Sequence, residues 1–213
     1  MNRPGAELLQ TLKNTSRTAA STLCLTVGQP VEAILRPVST VEGEVRIEDV
    51  RALTQWRNRY VDAFLTEFDA TESRTRQWLT TKVGPDETRI LFMLDDARDG
   101  RTLGYMGLAY INWEQRYAEA DAIVRGAPTA PGLMTRAMRI MLDWARHQLG
   151  IERIGVRVRS DNRALNFYLK FGFREIQRVP LRRKVTHDLV EWLEDPGLVS
   201  AQNLSLVHME LTG

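Results

Sequence analysis

A single cysteine, Cys24, stands in 213 residues. That scarcity excludes an internal disulfide framework and a cysteine-rich zinc site, and it makes a reducing, cytoplasmic setting the expectation. Charge of one sign is also scarce. The 29 Lys and Arg are nearly balanced by 27 Asp and Glu, and the net charge of +2 is too small to argue for nucleic acid or an anionic membrane. Long hydrophobic runs are missing as well. The early apolar stretch 19–27 (AASTLCLTV) falls far short of the ~20 residues that span a bilayer. It also lacks the basic, apolar, then small-residue order of a secretory leader. No internal repeat occurs at solenoid or propeller periods.

What is present fits a globular protein: 43% hydrophobic and 26% charged residues in a chain long enough for one domain of ordinary size. Residues 1–30 carry Thr, Ser and Asn without sustained periodicity and read as an N-terminal extension. Gln29-Pro30 and Arg36-Pro37 break any long element there, and core patterning begins near Ala33. Residues 31–213 are then expected to form a single domain. Ile34–Val38 or Val45–Ile47 supplies a first strand. Asp49–Asp62 and Glu72–Val83 read as helices, the second stopped by Gly84-Pro85. Arg89–Leu94, Leu103–Ile111 and Tyr117–Val124 read as strands, with Asp99-Gly100 as a turn. Leu189–Trp192 and Leu204–Leu211 close the chain, with a turn at Asp195-Pro196-Gly197. The expected class is α/β, a mixed and mostly antiparallel sheet flanked by helices. A basic run, Arg178–Lys184 (RVPLRRK), reads as a solvated face.

The stretch Tyr117–Phe173 holds the chemistry. Strict alternation along Tyr117–Val124 sets Ala118, Ala120, Ala122 and Val124 on one face. Tyr117, Glu119, Asp121 and Ile123 take the other, with the two carboxylates about 7 Å apart. Position between two other strands favours a cleft over the alternative, an edge strand with its polar face in water; in a cleft, Glu119 or Asp121, directly or through water, can accept a proton. A Gly/Pro loop (RGAPTAPG) leads into the helix Leu133–Leu149. At its start Ala130, Gly132, Leu133 and Met134 are expected to aim backbone N–H groups at a phosphate. Met134, Met138, Met141, Leu142, Ala145 and Leu149 form its core stripe. After a further strand (RIGVRVR), Ser160-Asp161-Asn162 caps a short helix closed by Gly172. That helix carries Tyr168, a phenol able to protonate a leaving thiolate. The alternative is a half-buried tyrosine with only a structural role.

This order of elements, and the run Asn162–Phe173 (NRALNFYLKFGF) above all, resembles the acyl-CoA-binding core of the GCN5-related N-acetyltransferases. The resemblance covers about residues 34–173 and implies a sheet whose fourth and fifth strands splay apart. It implies an acetyltransferase domain over 31–213, with an acyl-CoA core at about 103–175 and an acceptor-shaping segment at 176–213. It also implies acetyl-CoA as co-substrate and no metal. Ile123, Val124 and Arg125 would offer backbone to the pantetheine arm, and Ala130, Gly132, Leu133, Met134 and Thr135 would hold pyrophosphate. Asn162 would contact the arm, and Tyr168 would protonate the thiolate. The loop departs from the family pattern. Ala127 stands where Gln or Arg is usual and Ala130 replaces the first Gly, while Pro128 and Pro131 lack N–H donors. The pyrophosphate seat is therefore expected to be differently shaped.

The triplet Trp56-Arg57-Asn58 resembles relatives that acetylate nucleotide-linked amino sugars, and it occurs too in relatives acting on protein N-termini. It implies an acceptor-binding role for all three residues. The partner so implied is a small-molecule amine, in a protein with no nucleic-acid or membrane partner and with a homodimer as a compatible assembly. A protein N-terminal or ribosomal-protein acetyltransferase, or a catalytically silent acyl-CoA-binding module, are the alternatives.

Overall fold

The computed structural model describes residues 4–14, 24–198 and 204–212. In chain order the helices are α1 (Pro4–Lys13), α2 (Ile47–Arg59), α3 (Glu72–Trp78), α4 (Leu133–Leu149) and α5 (Ala164–Phe171). The early strands are β1 (Leu25–Val27), β2 (Ala33–Pro37), β3 (Thr66–Glu67), β4 (Ile90–Asp96), β5 (Thr102–Asn112) and β6 (Tyr117–Arg125). The later ones are β7 (Arg153–Arg159), β8 (Phe173–Thr186), β9 (Leu189–Glu194) and β10 (Ser205–Leu211). The chain divides into two compact units, one of Met1–Thr54 and Thr71–Ile154, the other of Gln55–Ala70 and Gly155–Gly213.

In the first unit, β1-β2-β4-β5-β6 pair in that order, every pair antiparallel. β4 is buried along nearly its whole length, as its apolar run requires. Of the α4 stripe, Met138, Met141, Leu142, Ala145 and Leu149 are buried and Met134 at its start is half-buried, while Trp144 meets Phe92 edge-to-face at 5.4 Å. The core begins earlier than residue 33. Within the expected extension, α1 buries Ala6, Leu9 and Leu12, and β1 pairs with β2. Lys13 at the end of α1 is almost wholly buried. Its ammonium donates to the Val83 and Asp86 carbonyls at 3.1 and 2.6 Å, and burial pushes its pKa down against the pull of Asp86. Residues 1–3 and most of the 19–27 stretch lie outside the described residues. Among the described residues, no helix is long and apolar enough to cross a membrane.

Two glycines let β4, β5 and β6 approach one another. A Cβ on Gly107 would overlap the Ile90 carbonyl oxygen, and one on Gly104 would overlap that of Val124. Gly104→Ala and Gly107→Ala should each lose about 1–3 kcal/mol of stability through forced overpacking. A lower urea midpoint at unchanged slope is the expected reading.

In the second unit, β7-β10-β8-β9-β3 pair in that order, again all antiparallel. Fourteen-residue β8 is longer than anything the sequence pattern suggested there. Its Pro180 interrupts the propensity signal, and residues 174–178 are exposed on both faces, so no alternation is readable. The basic run Arg178–Lys184 lies along β8 and is largely matched by local acids. Arg178 pairs with Glu175 at 2.8 Å, Arg182 with Asp195 at 3.1 Å and Lys184 with Glu191 at 3.1 Å.

Candidate active site

The first unit carries the paired carboxylates, but on a strand that does not alternate strictly. Gly107 pairs with Asp121 and Tyr105 with Val124, so Ala122 and Ile123 together face Met106. That extra residue is a β-bulge, and Ala122 takes the left-handed conformation there at φ 55°. A second bulge lies on β5, where Tyr110 at φ 52° and Ile111 face Ala118. The expected two faces are corrected accordingly. Tyr117, Glu119, Asp121 and Val124 share one face with Tyr105, Gly107 and Ala109, because the bulge shifts every later residue by one. Glu119 is only 9% exposed, and Asp121 is half-buried. The Tyr117 hydroxyl donates to Glu119 Oε1 at 3.2 Å.

Past β6, the Gly126 and Ala127 N–H groups both donate to the Leu103 carbonyl at 2.9 Å, fastening the loop to β5. Ala130-Pro131-Gly132-Leu133 then forms a tight turn. Gly132 sits at φ 77°, ψ −3°, and the Leu133 N–H donates to the Ala130 carbonyl at 3.1 Å. Leu133 is therefore not a phosphate donor, contrary to expectation; the Pro-Gly turn takes its N–H. The N–H groups of Gly132, Met134 and Thr135 have no acceptor among the described residues. Arg136 borders the turn, donating to the Pro131 carbonyl at 3.2 Å and to Glu32 at 2.7 Å. A left-handed glycine before a helix whose first donors are unmatched fits an anionic group.

The second unit carries Asn162, Tyr168 and the Trp56-Arg57-Asn58 triplet. Of Ser160-Asp161-Asn162, only Asn162 turns to α5, its Oδ1 accepting from the Ala164 N–H at 2.8 Å. Ser160 Oγ instead accepts from the Ser205 N–H, and Asp161 grips Arg159. Asn162 Nδ2 donates to the Ala63 carbonyl at 3.1 Å, so the amide that was expected to meet pantetheine also ties two segments of its own unit. Tyr168 is the fifth residue of α5, a little over one turn in, and is buried. Its ring meets Phe167 and Phe173 edge-to-face at 5.5 and 5.8 Å.

Burial falls along the triplet, from buried Trp56 through half-buried Arg57 to exposed Asn58. Arg57 lies over the Phe64 and Phe68 rings at 3.9 and 4.7 Å and donates to both the Thr66 carbonyl and its hydroxyl. Asn58 brackets Ala70, donating to its carbonyl at 3.0 Å and accepting from its N–H at 2.8 Å. These side chains build the 60–70 segment.

Arg159, at the end of β7, was not singled out by sequence reasoning. It is 5% exposed and donates to both Asp161 oxygens at 3.1 and 2.8 Å, to the Phe64 carbonyl at 3.1 Å and to Glu67 at 3.2 Å. Glu67 also accepts from Trp192 Nε1 at 2.6 Å. Burial works against the Arg159 charge, yet Asp161 and then Glu67 outweigh it and raise its pKa. No short motif marks this cluster, since Glu67 and Trp192 lie 92 and 125 residues from their partners Arg159 and Glu67.

A family model described as the acetyltransferase (GNAT) domain matches residues 43–174. No curated protein matches the sequence. Among solved structures, the chain resembles spermidine N-acetyltransferase from Vibrio cholerae in complex with CoA and spermine at 18% identity. The match covers 84% of this chain and 95% of that one, with a TM-score of 0.64. A probable acetyltransferase from Chromobacterium violaceum matches at 17% identity over 90% and 88% of the two chains, with a TM-score of 0.63. A GCN5-related N-acetyltransferase from Brucella melitensis matches at 17% identity over 87% and 77%, also with a TM-score of 0.63.

Proposed function

Because the chain belongs to the acetyltransferase (GNAT) family and is an acyl-CoA-dependent N-acetyltransferase, we propose that it moves an acetyl group from acetyl-CoA to a primary amine of a small molecule. The amine attacks the thioester carbonyl directly. Glu119 accepts the proton the nitrogen loses, the carbon–sulfur bond breaks, and Tyr168 gives its proton to the departing thiolate. The observation that carries this reading is the β6 face, where a nearly buried carboxylate at Glu119 is held by the Tyr117 hydroxyl. Glu119 is placed before Asp121 because Asp121 is the more exposed and loses less solvent competition. Gly132, Met134 and Thr135 supply backbone donors for pyrophosphate, with Ile123, Val124 and Arg125 offering backbone to the pantetheine arm beside the bulge.

The acceptor placed first is an amino sugar. The support is the sequence likeness of Trp56-Arg57-Asn58 alone; those side chains act through the 60–70 segment they brace. A thiol-release assay with acetyl-CoA across amino sugars, polyamines and peptide N-termini tests the proposal. Turnover with an amino sugar supports it, turnover with another class reassigns the acceptor, and CoA binding without thiol release from any amine sinks the reading. Tyr168→Phe should lower kcat about a hundredfold while calorimetric affinity for acetyl-CoA stays unchanged. Unchanged turnover would remove Tyr168 from the acid role.

A further inference from the structure

We propose that Tyr117 is a positioning residue for the general base, fixing the Glu119 carboxylate through its phenol; the inference rests on Glu119 being that base. Residues two apart on β6 share a face, and the bulge opposite Ala118 puts its extra residue on β5 and not on β6, so the Tyr117 hydroxyl reaches along the strand to Glu119 Oε1 at 3.2 Å. The acceptor end of the bond, Glu119, is nearly buried, and the donor Tyr117 is half-buried. A phenol donor holds one carboxylate oxygen and sets the side-chain rotamer while staying neutral itself.

Tyr117 is in turn held firmly. The Arg153 guanidinium lies 5.6 Å from the centre of its ring. Arg116, the preceding residue, is fixed in the left-handed region at φ 52°, and its carbonyl accepts from the N–H groups of Glu152 and Arg153 at 2.8 and 3.1 Å. The Arg116 guanidinium donates to the Gly150 carbonyl at 2.8 Å and pairs with Glu152. The connection after α4 thus anchors the strand end that carries the phenol. The other titratable groups on that face of β5 and β6 are Asp121 and Tyr105, and Arg153 is the cation against the Tyr117 ring.

Tyr117→Phe removes only the hydroxyl. It should lower kcat/KM for the amine about tenfold, the size expected for one lost hydrogen bond to a charged group. KM for acetyl-CoA should stay unchanged. In a Glu119→Asp background, which draws the carboxylate back by one methylene, the same substitution should cost less than about twofold further, since the pair acts as a unit. A wild-type kcat/KM for the amine, or full additivity in the cycle, overturns the positioning role. Glu119→Gln separates the two readings. If it keeps full turnover, the base assignment falls and takes this inference with it. If it is inactive while Tyr117→Phe behaves as wild type, the positioning role alone falls.

Discussion

Glu119→Gln should lower kcat by about 10²–10⁴, the contribution typical of a positioned proton acceptor. Gln keeps the length and shape of Glu and can still accept from the Tyr117 hydroxyl, so the fold and that contact survive. What disappears is the basic oxygen. Acetyl-CoA affinity, measured by calorimetry, should be unaltered, because the nucleotide contacts proposed lie on the loop into α4. The residual rate should climb with pH more steeply than in the wild type, as solvent takes over deprotonation of the amine. Asp121→Asn should cost far less. Equal losses at both positions, or no loss at Glu119, would show that neither carboxylate is singled out by the buried phenol contact.

The largest loss of stability should come from Arg36→Met, at about 3–5 kcal/mol, the range for breaking a buried ion pair on one side. Arg36 on β2 donates from both terminal nitrogens to Asp49 at 2.9 Å, and from Nε to Asp95 at 2.8 Å. Asp49, in the first turn of α2, is 1% exposed, so the substitution strands a buried carboxylate. Burial works against the Arg36 charge, but the hydrogen bonds and charges of Asp49 and Asp95 prevail and push its pKa well above the usual guanidinium range. Thr102 Oγ1 donates to the other Asp95 oxygen at 2.9 Å, which leaves that carboxylate better supported than Asp49. The double substitution Arg36→Met, Asp49→Leu should recover most of the loss, since an apolar replacement of a whole buried pair is often nearly neutral. Urea unfolding of the two variants checks this. A single variant within 1 kcal/mol of wild type would contradict the ledger for buried charge.

The elements most legible in the sequence are those whose pattern answers to a single cause. β4 follows from an unbroken apolar run, α4 from a 3.6-residue stripe closed by Gly150, and α5 from Asn162 and Gly172 at its ends. α1 escaped notice because ten residues form only a marginal helix alone; burial of Leu9 and Leu12 makes it one. The triplet at 56–58 was legible as a motif and not as a contact, because Thr66 and Ala70 lie 9 and 12 residues from their partners Arg57 and Asn58. Neither bulge is marked by a glycine. Tyr110 and Ala122 enter the left-handed region because register on both sides of them is fixed by burial, and tertiary pairing overrides their local preference. Leu133 differs: its N–H is engaged by a local Pro-Gly turn, visible in the sequence although its hydrogen bond is not.

The bulge at Ala122 also decides which kind of genetic change β6 can best absorb. Substituting Ala122 alters one side chain. Deleting it would restore simple alternation with Val124 and Arg125 on the faces they already hold, because the residue lost is the supernumerary one. A loss of three nucleotides there would thus straighten the strand beside the carboxylates without turning any side chain over. Among descendants of this sequence, a length change in β6 should be better tolerated at that codon than at its neighbours.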